Sequence, residues 1–69
     1  MGLRVELFGW TVNIFRQATS KPDARWGAIA TRRHNGIVWQ INAEGPTAEA
    51  ATDRIGRKLD GYQPWRREH

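Results

Sequence analysis

The sequence predicts a small α+β domain, with three antiparallel strands in meander order and one C-terminal helix packed on one face of the sheet. Three observations carry this reading: period-two alternation on either side of an Asn35-Gly36 pair, a β-rich stretch from Leu3 to Gln17, and a capped amphipathic segment after Pro46. The chain has 69 residues, which is room for one domain over 1–61 and a short aromatic and basic tail over 62–69. A domain this small buries only about 60% of the surface its unfolded chain exposes. It therefore depends on dense aromatic packing, a partner or self-association. Four Trp, two Phe and one Tyr provide the aromatic share.

The first element changes phase along its length. Leu3, Val5 and Leu7 point to one side, whereas Phe8, Trp10, Val12 and Ile14 point to the other, with Gly9 at the switch. One bulged strand or two short strands around Gly9 would each produce this pattern, and the single long strand with a bulge is the reading taken. The polar segment Ala18 to Ala24 follows as a loop, because Pro22 has no backbone N–H to donate to a ladder.

Arg25 to Asn42 is the clearest local signal. Asn35 and Gly36 both tolerate positive φ, as a two-residue type I′ turn requires. That turn sets Arg32 opposite Trp39, Ala30 opposite Ile41 and Ala28 opposite Ala43. Trp26, Ala28, Ala30, Ile37, Trp39 and Ile41 then form the core face, and Gly27, Ile29, Thr31, Arg33, Val38, Gln40 and Asn42 lie on the opposite one.

The helix is expected from Pro46 or Thr47 through Asp60. Thr47 caps its first turn, Glu49 favours its positive end and Gly61 stops it. Ala48, Ala51, Ile55 and Leu59 recur at three- and four-residue spacing as an apolar stripe that lies on the sheet. Turned over, the same helix carries Glu49, Asp53 and Asp60 on one flank and Arg54, Arg57 and Lys58 on the other. In the tail, Tyr62 and Trp65 either fray or fold back to close an end of the core.

Composition bounds the chemistry. The absence of cysteine excludes disulfides and thiolate metal sites, and two histidines, His34 beside a turn and His69 at the end, build neither a metal site nor a Ser/His/Asp arrangement. The glycines form no phosphate-cradling loop. No enzyme activity, cofactor or metal is expected. Neither a signal-length apolar run nor a stretch of about 18 apolar residues occurs, so the chain reads as cytoplasmic and without a membrane role. Eleven Lys and Arg against seven Asp and Glu give a net charge of +4, a balance that favours encounter with polyanions, nucleic acid first.

Two functional readings follow. In the first, a small nucleic-acid-binding module uses the hairpin tip, Arg32 and Arg33, with Arg54, Arg57 and Lys58 as a second phosphate-contacting edge; its partner is DNA or RNA. Arg33 is the better candidate because it points away from the core face, whereas Arg32 is positioned to stack on Trp39. In the second, the uncovered sheet face, with Ile29 and Val38 and one or more of Leu3, Val5 and Leu7, or a strand edge, recruits a protein partner as an antitoxin-like or phage-type adaptor. Self-association into a homo-oligomer through that face or an edge is expected in either case.

The stretch from Arg25 to Asp60, with Trp26, Ala28, Gly45, Thr47, Glu49, Ala50 and Ala51 at the matching positions, resembles small strand-strand-strand-helix domains. It is similar to HicB-type antitoxins, in which a strand is followed by Thr, Glu and Ala at the helix start. It is also similar to plant ethylene-response and phage integrase arm-binding domains, whose three-stranded sheet reads DNA while a helix packs behind. The resemblance covers about half the chain and implies a fold more than an activity. The dense Arg ladder of the plant domains is missing. Gly9-Trp10 is faintly similar to HicA-type toxins, whose Gly-Ser-His motif the chain lacks.

Overall fold

A computed structural model describes residues 2–66. Four strands, Gly2–Leu7 (β1), Trp10–Arg16 (β2), Trp26–His34 (β3) and Ile37–Gly45 (β4), form one antiparallel sheet in sequence order, and a single helix, Ala48–Leu59 (α1), follows them. The α+β class, the meander and the C-terminal helix are as the patterning predicts. The strand count is not: the sheet has four strands, not three, and the domain is ββββα, not βββα.

The difference arises at one turn. Instead of bulging, the chain reverses at Phe8-Gly9, where φ is 53° and 82°. Such a two-residue turn pairs Leu7 with Trp10, Val5 with Val12 and Leu3 with Ile14. Odd positions before it and even positions after it thereby share a face, which is the observed change of phase. Leu3, Val5 and Leu7 accordingly lie on the helix side, a correction to the bulged strand, which left one or more of them on the open face. Asn35-Gly36 makes the same kind of turn, with φ of 53° and 79°, and the register is the expected one, Arg32 with Trp39, Ala30 with Ile41 and Ala28 with Ala43.

Between β2 and β3 the backbone closes on itself through the Gln17 N–H, which donates to the Arg25 carbonyl at 2.8 Å, around a 3-10 turn over Pro22–Ala24. After β4, the Thr47 hydroxyl accepts from the Ala50 N–H at 3.0 Å and starts α1. Gly45 permits the tight approach there: a Cβ on it would stand 2.7 Å from the Ala51 nitrogen.

The core lies between α1 and one sheet face. Trp10, Val12 and Ile14 of β2, Ala28 and Ala30 of β3 and Ala43 of β4 pack with Ala51, Ile55 and Leu59 of α1, and Trp39 and Ile41 border them. The alanines of β3 and β4 let the helix come close, while Trp10 is the largest of the fully buried side chains. Four expected members of the core face are less covered than the pattern suggests, Trp39 and Ile41 being half-buried along β4. Ile37 is 55% exposed because it sits at the hairpin end beyond the helix, and Trp26 is half-buried at the other end.

α1 lies mainly over β4 and β3 and reaches β2, so the helix side of β1 has little cover and Leu3 is 59% exposed. The tail folds back: Tyr62 and Trp65 lie against Trp10 at ring-centroid distances of 6.0 and 6.1 Å. Of the tail over 62–69, Arg67, Glu68 and His69 lie outside the described residues. Among the described residues no helix is long and apolar enough to cross a membrane.

Candidate nucleic-acid interface

The hairpin of β3 and β4 outruns the rest of the sheet. Thr31, opposite Thr11, is the last residue of β3 that pairs with β2, whereas pairing with β4 continues to His34 and Ile37. Arg32 to Trp39 thus forms a two-stranded arm beyond the pairing with β2. Two free strands alone are marginal in water, and this arm is braced from the helix side. Trp65 stacks on His34 at 4.4 Å between centroids with planes 20° apart, and the Arg32 guanidinium carbon stands 4.7 Å from the centre of the same ring. The partner of Arg32 is therefore Trp65 of the tail and not the expected Trp39.

Arg32 and Arg33 leave β3 on opposite faces, yet both reach one place. Arg32 passes around the end of β2, where its Nη1 donates to the Phe8 carbonyl at 3.3 Å. Gly9 leaves room beside that path, since a Cβ there would lie 2.7 Å from that nitrogen and the guanidinium would have to shift. At the root of the arm Arg32 and Arg33, with Gly9, Thr11, Thr31 and Val38, line a shallow hollow of about 350 Å³. Among the described residues no acidic side chain lines it. Glu6 stands at the rim, accepting a hydrogen bond from the Thr11 hydroxyl at 3.0 Å, which leaves Arg33, the Arg32 N–H groups not given to the Phe8 carbonyl, and the Thr31 hydroxyl as donors. Guanidinium forks beside a hydroxyl match the oxygens of a phosphate or sulfate group.

The open sheet face continues from this hollow. Neighbouring strands set Asn13, Ile29 and Asn42 in one row and Thr11, Thr31 and Gln40 in the next. Ile29 is half-buried among these polar side chains, and Val38 is 58% exposed. Arg4, opposite Asn13, adds a cation at the β1 end of the face. The amide and hydroxyl rows were legible in principle from the alternation of Thr31, Arg33, Val38, Gln40 and Asn42. The role of Trp65 carried no such signal, because nothing local says where a tail docks.

The helix cations are placed elsewhere. Arg54 Nη1 donates to the Glu44 carbonyl at 2.9 Å and Lys58 Nζ to the Asn42 carbonyl at 2.8 Å, both along the outer edge of β4. Arg57 turns to the opposite flank and pairs with Asp53 at 3.1 Å, both largely exposed. The structure thus brings Arg32 and Arg33 together and keeps Arg54, Arg57 and Lys58 on the helix side, away from the open face. Among the described residues no three His, Asp or Glu side chains converge as a metal site would require. Comparison of the chain with family models, curated proteins and solved structures returned no match.

Proposed function

We propose that the protein is a non-enzymatic nucleic-acid-binding module that takes a backbone phosphate into the hollow at the root of its arm and lays the adjoining polar sheet face along the strand. The carrying observation is that Arg32 and Arg33 converge with Thr31 on one solvent-open hollow that no acidic side chain among the described residues lines. The net charge of +4 adds long-range attraction for a polyanion, and the amide and hydroxyl rows offer both donors and acceptors to sugars and base edges. A two-stranded ribbon is narrow enough to enter a DNA major groove. Arg54 and Lys58, held on β4 carbonyls, serve the edge of the sheet in this reading and not the ligand.

The test is a gel-shift titration of DNA and RNA oligonucleotides across a salt series. Binding is expected to weaken steeply with salt. Arg33→Glu is expected to lower affinity by about tenfold or more, and the neutral Arg33→Gln to reduce the slope of log K against log salt by about one. The competing reading, a protein partner seated on Val38 and Ile29, draws on the 58% exposure of Val38. It requires no nucleic-acid affinity at physiological salt and capture of one specific protein that Val38→Lys abolishes.

A further inference from the structure

The two edges of the sheet are treated differently. On β4 the pairing of His34 with Ile37 across a two-residue turn directs the backbone groups of Val38, Gln40, Asn42 and Glu44 outward. Lys58 and Arg54 cover the carbonyls of Asn42 and Glu44, a known way of closing an edge to further strands. On β1 the same reasoning applies from Leu7 and Trp10. Leu3, Val5 and Leu7 turn their backbone groups to β2, and Arg4 and Glu6 turn theirs outward. No hydrogen bond from the described side chains or loops reaches them.

We propose that β1 is the dimerisation edge of this protein, pairing antiparallel with β1 of a second copy about a two-fold axis at Val5. The result is a continuous eight-stranded sheet, twice the four strands of one chain.

Charge selects that register. Centred on Val5, Arg4 stands opposite Glu6 of the second copy, and by symmetry the pair occurs twice. A shift to either neighbouring register that keeps the faces aligned would set Arg4 against Arg4 or Glu6 against Glu6. Opposite charges directly across antiparallel strands are favourable and like charges unfavourable. The backbone agrees, because Arg4 and Glu6 are the outward-facing residues and meet as hydrogen-bonded pairs.

The apolar side agrees as well. In this register Leu3, 59% exposed in one chain, stands opposite Leu7 of the second copy. Beside Leu7 the helix leaves open a groove of about 320 Å³ whose lining also includes Phe8 and Gly56, with the polar Thr52, Asp53, Arg57 and Asp60 on its helix wall. Pairing thus covers the least protected apolar residue of β1 with the surface that β1 lacks. A second copy carries both the opposite charges and the matching leucine.

Analytical ultracentrifugation and light scattering of the full chain, over a concentration series to the millimolar range, test the dimer directly. Arg4→Glu is expected to weaken association at least tenfold, and Arg4→Glu combined with Glu6→Arg to restore it, with circular dichroism confirming that each variant folds. A chemical trap reads the register. The chain has no cysteine, and opposed residues of a non-hydrogen-bonded pair stand about 4.5 Å apart at Cα, within reach of a disulfide. Val5→Cys is expected to give a covalent dimer on oxidation, whereas Leu3→Cys is not. A wild-type chain monomeric throughout the series, a dimer indifferent to Arg4→Glu and unrescued by the exchange, or cross-linking of Leu3→Cys as efficient as that of Val5→Cys would each overturn the proposal. None of these readouts involves nucleic acid, so failure here is separable from failure of the binding function.

Discussion

Among the described residues Phe8 has the least comfortable backbone. It occupies the left-handed region, φ 53°, with its ring 58% exposed, a position where bulky side chains are rare and where Asn or Gly is at ease. Phe8→Asn is expected to raise stability by about 0.5–1 kcal/mol, read as a higher thermal midpoint. A strained, exposed aromatic persists when something else holds it in place, and functional surfaces are where such strain collects. Phe8 borders both the Arg32 path and the groove beside Leu7. The stabilised variant is therefore also expected to bind oligonucleotide or its second copy less well, measured in the same titrations. An unchanged melting temperature would show that the ring repays its strain within the monomer.

At the scale of elements, the arm and the helix start are the sensitive places. The arm owes its direction to Trp65, which contacts His34, Arg32 and Trp10 together. Trp65→Ala should destabilise the domain by about 1–2 kcal/mol and speed amide hydrogen exchange across residues 32–39 while leaving β2 protected. At the other end of the sheet, Gly45→Ala would drive a methyl group into the first turn of α1, where the opposing atoms are backbone and cannot rotate away. The expected cost is about 1–3 kcal/mol by chemical denaturation. The helix cations belong to this scale too, since Arg54 and Lys58 join α1 to the β4 edge. Their substitution should loosen that edge more than it alters binding at the hollow.

For the whole molecule the margin is thin, because a chain of 69 residues cannot bury much surface. Ile55 is completely buried where α1 meets the sheet, and Ile55→Ala is expected to cost about 2–5 kcal/mol, enough to leave a large unfolded fraction at room temperature. The proposed dimer bears on the same margin. Covering Leu3 and the bare β1 edge is expected to make the thermal midpoint rise with protein concentration. It also brings Arg4 of the second copy beside Glu6, the acid at the rim of the phosphate-sized hollow, so that association and anion binding are expected to reinforce each other.

What the amino-acid order by itself determined is whatever rests on neighbours in the chain. The Asn35-Gly36 turn, the register it imposes, the capped helix and its apolar stripe all follow from local φ preferences and from periods of two and 3.6 residues. The convergence of Arg32 with Arg33, by contrast, needed the Gly9 turn and the end of β2 in place. The capture of His34 by Trp65 needed a folded core for the tail to dock on, and the division of Arg54 and Lys58 from Arg57 needed the helix seated on the sheet. The first hairpin falls between the two. Its alternation was readable, but Phe8 withholds the turn signature, and pairing with β3 together with burial of Trp10 decides that the chain reverses there. Tertiary contacts join residues distant in sequence, and no local propensity encodes which of them will meet.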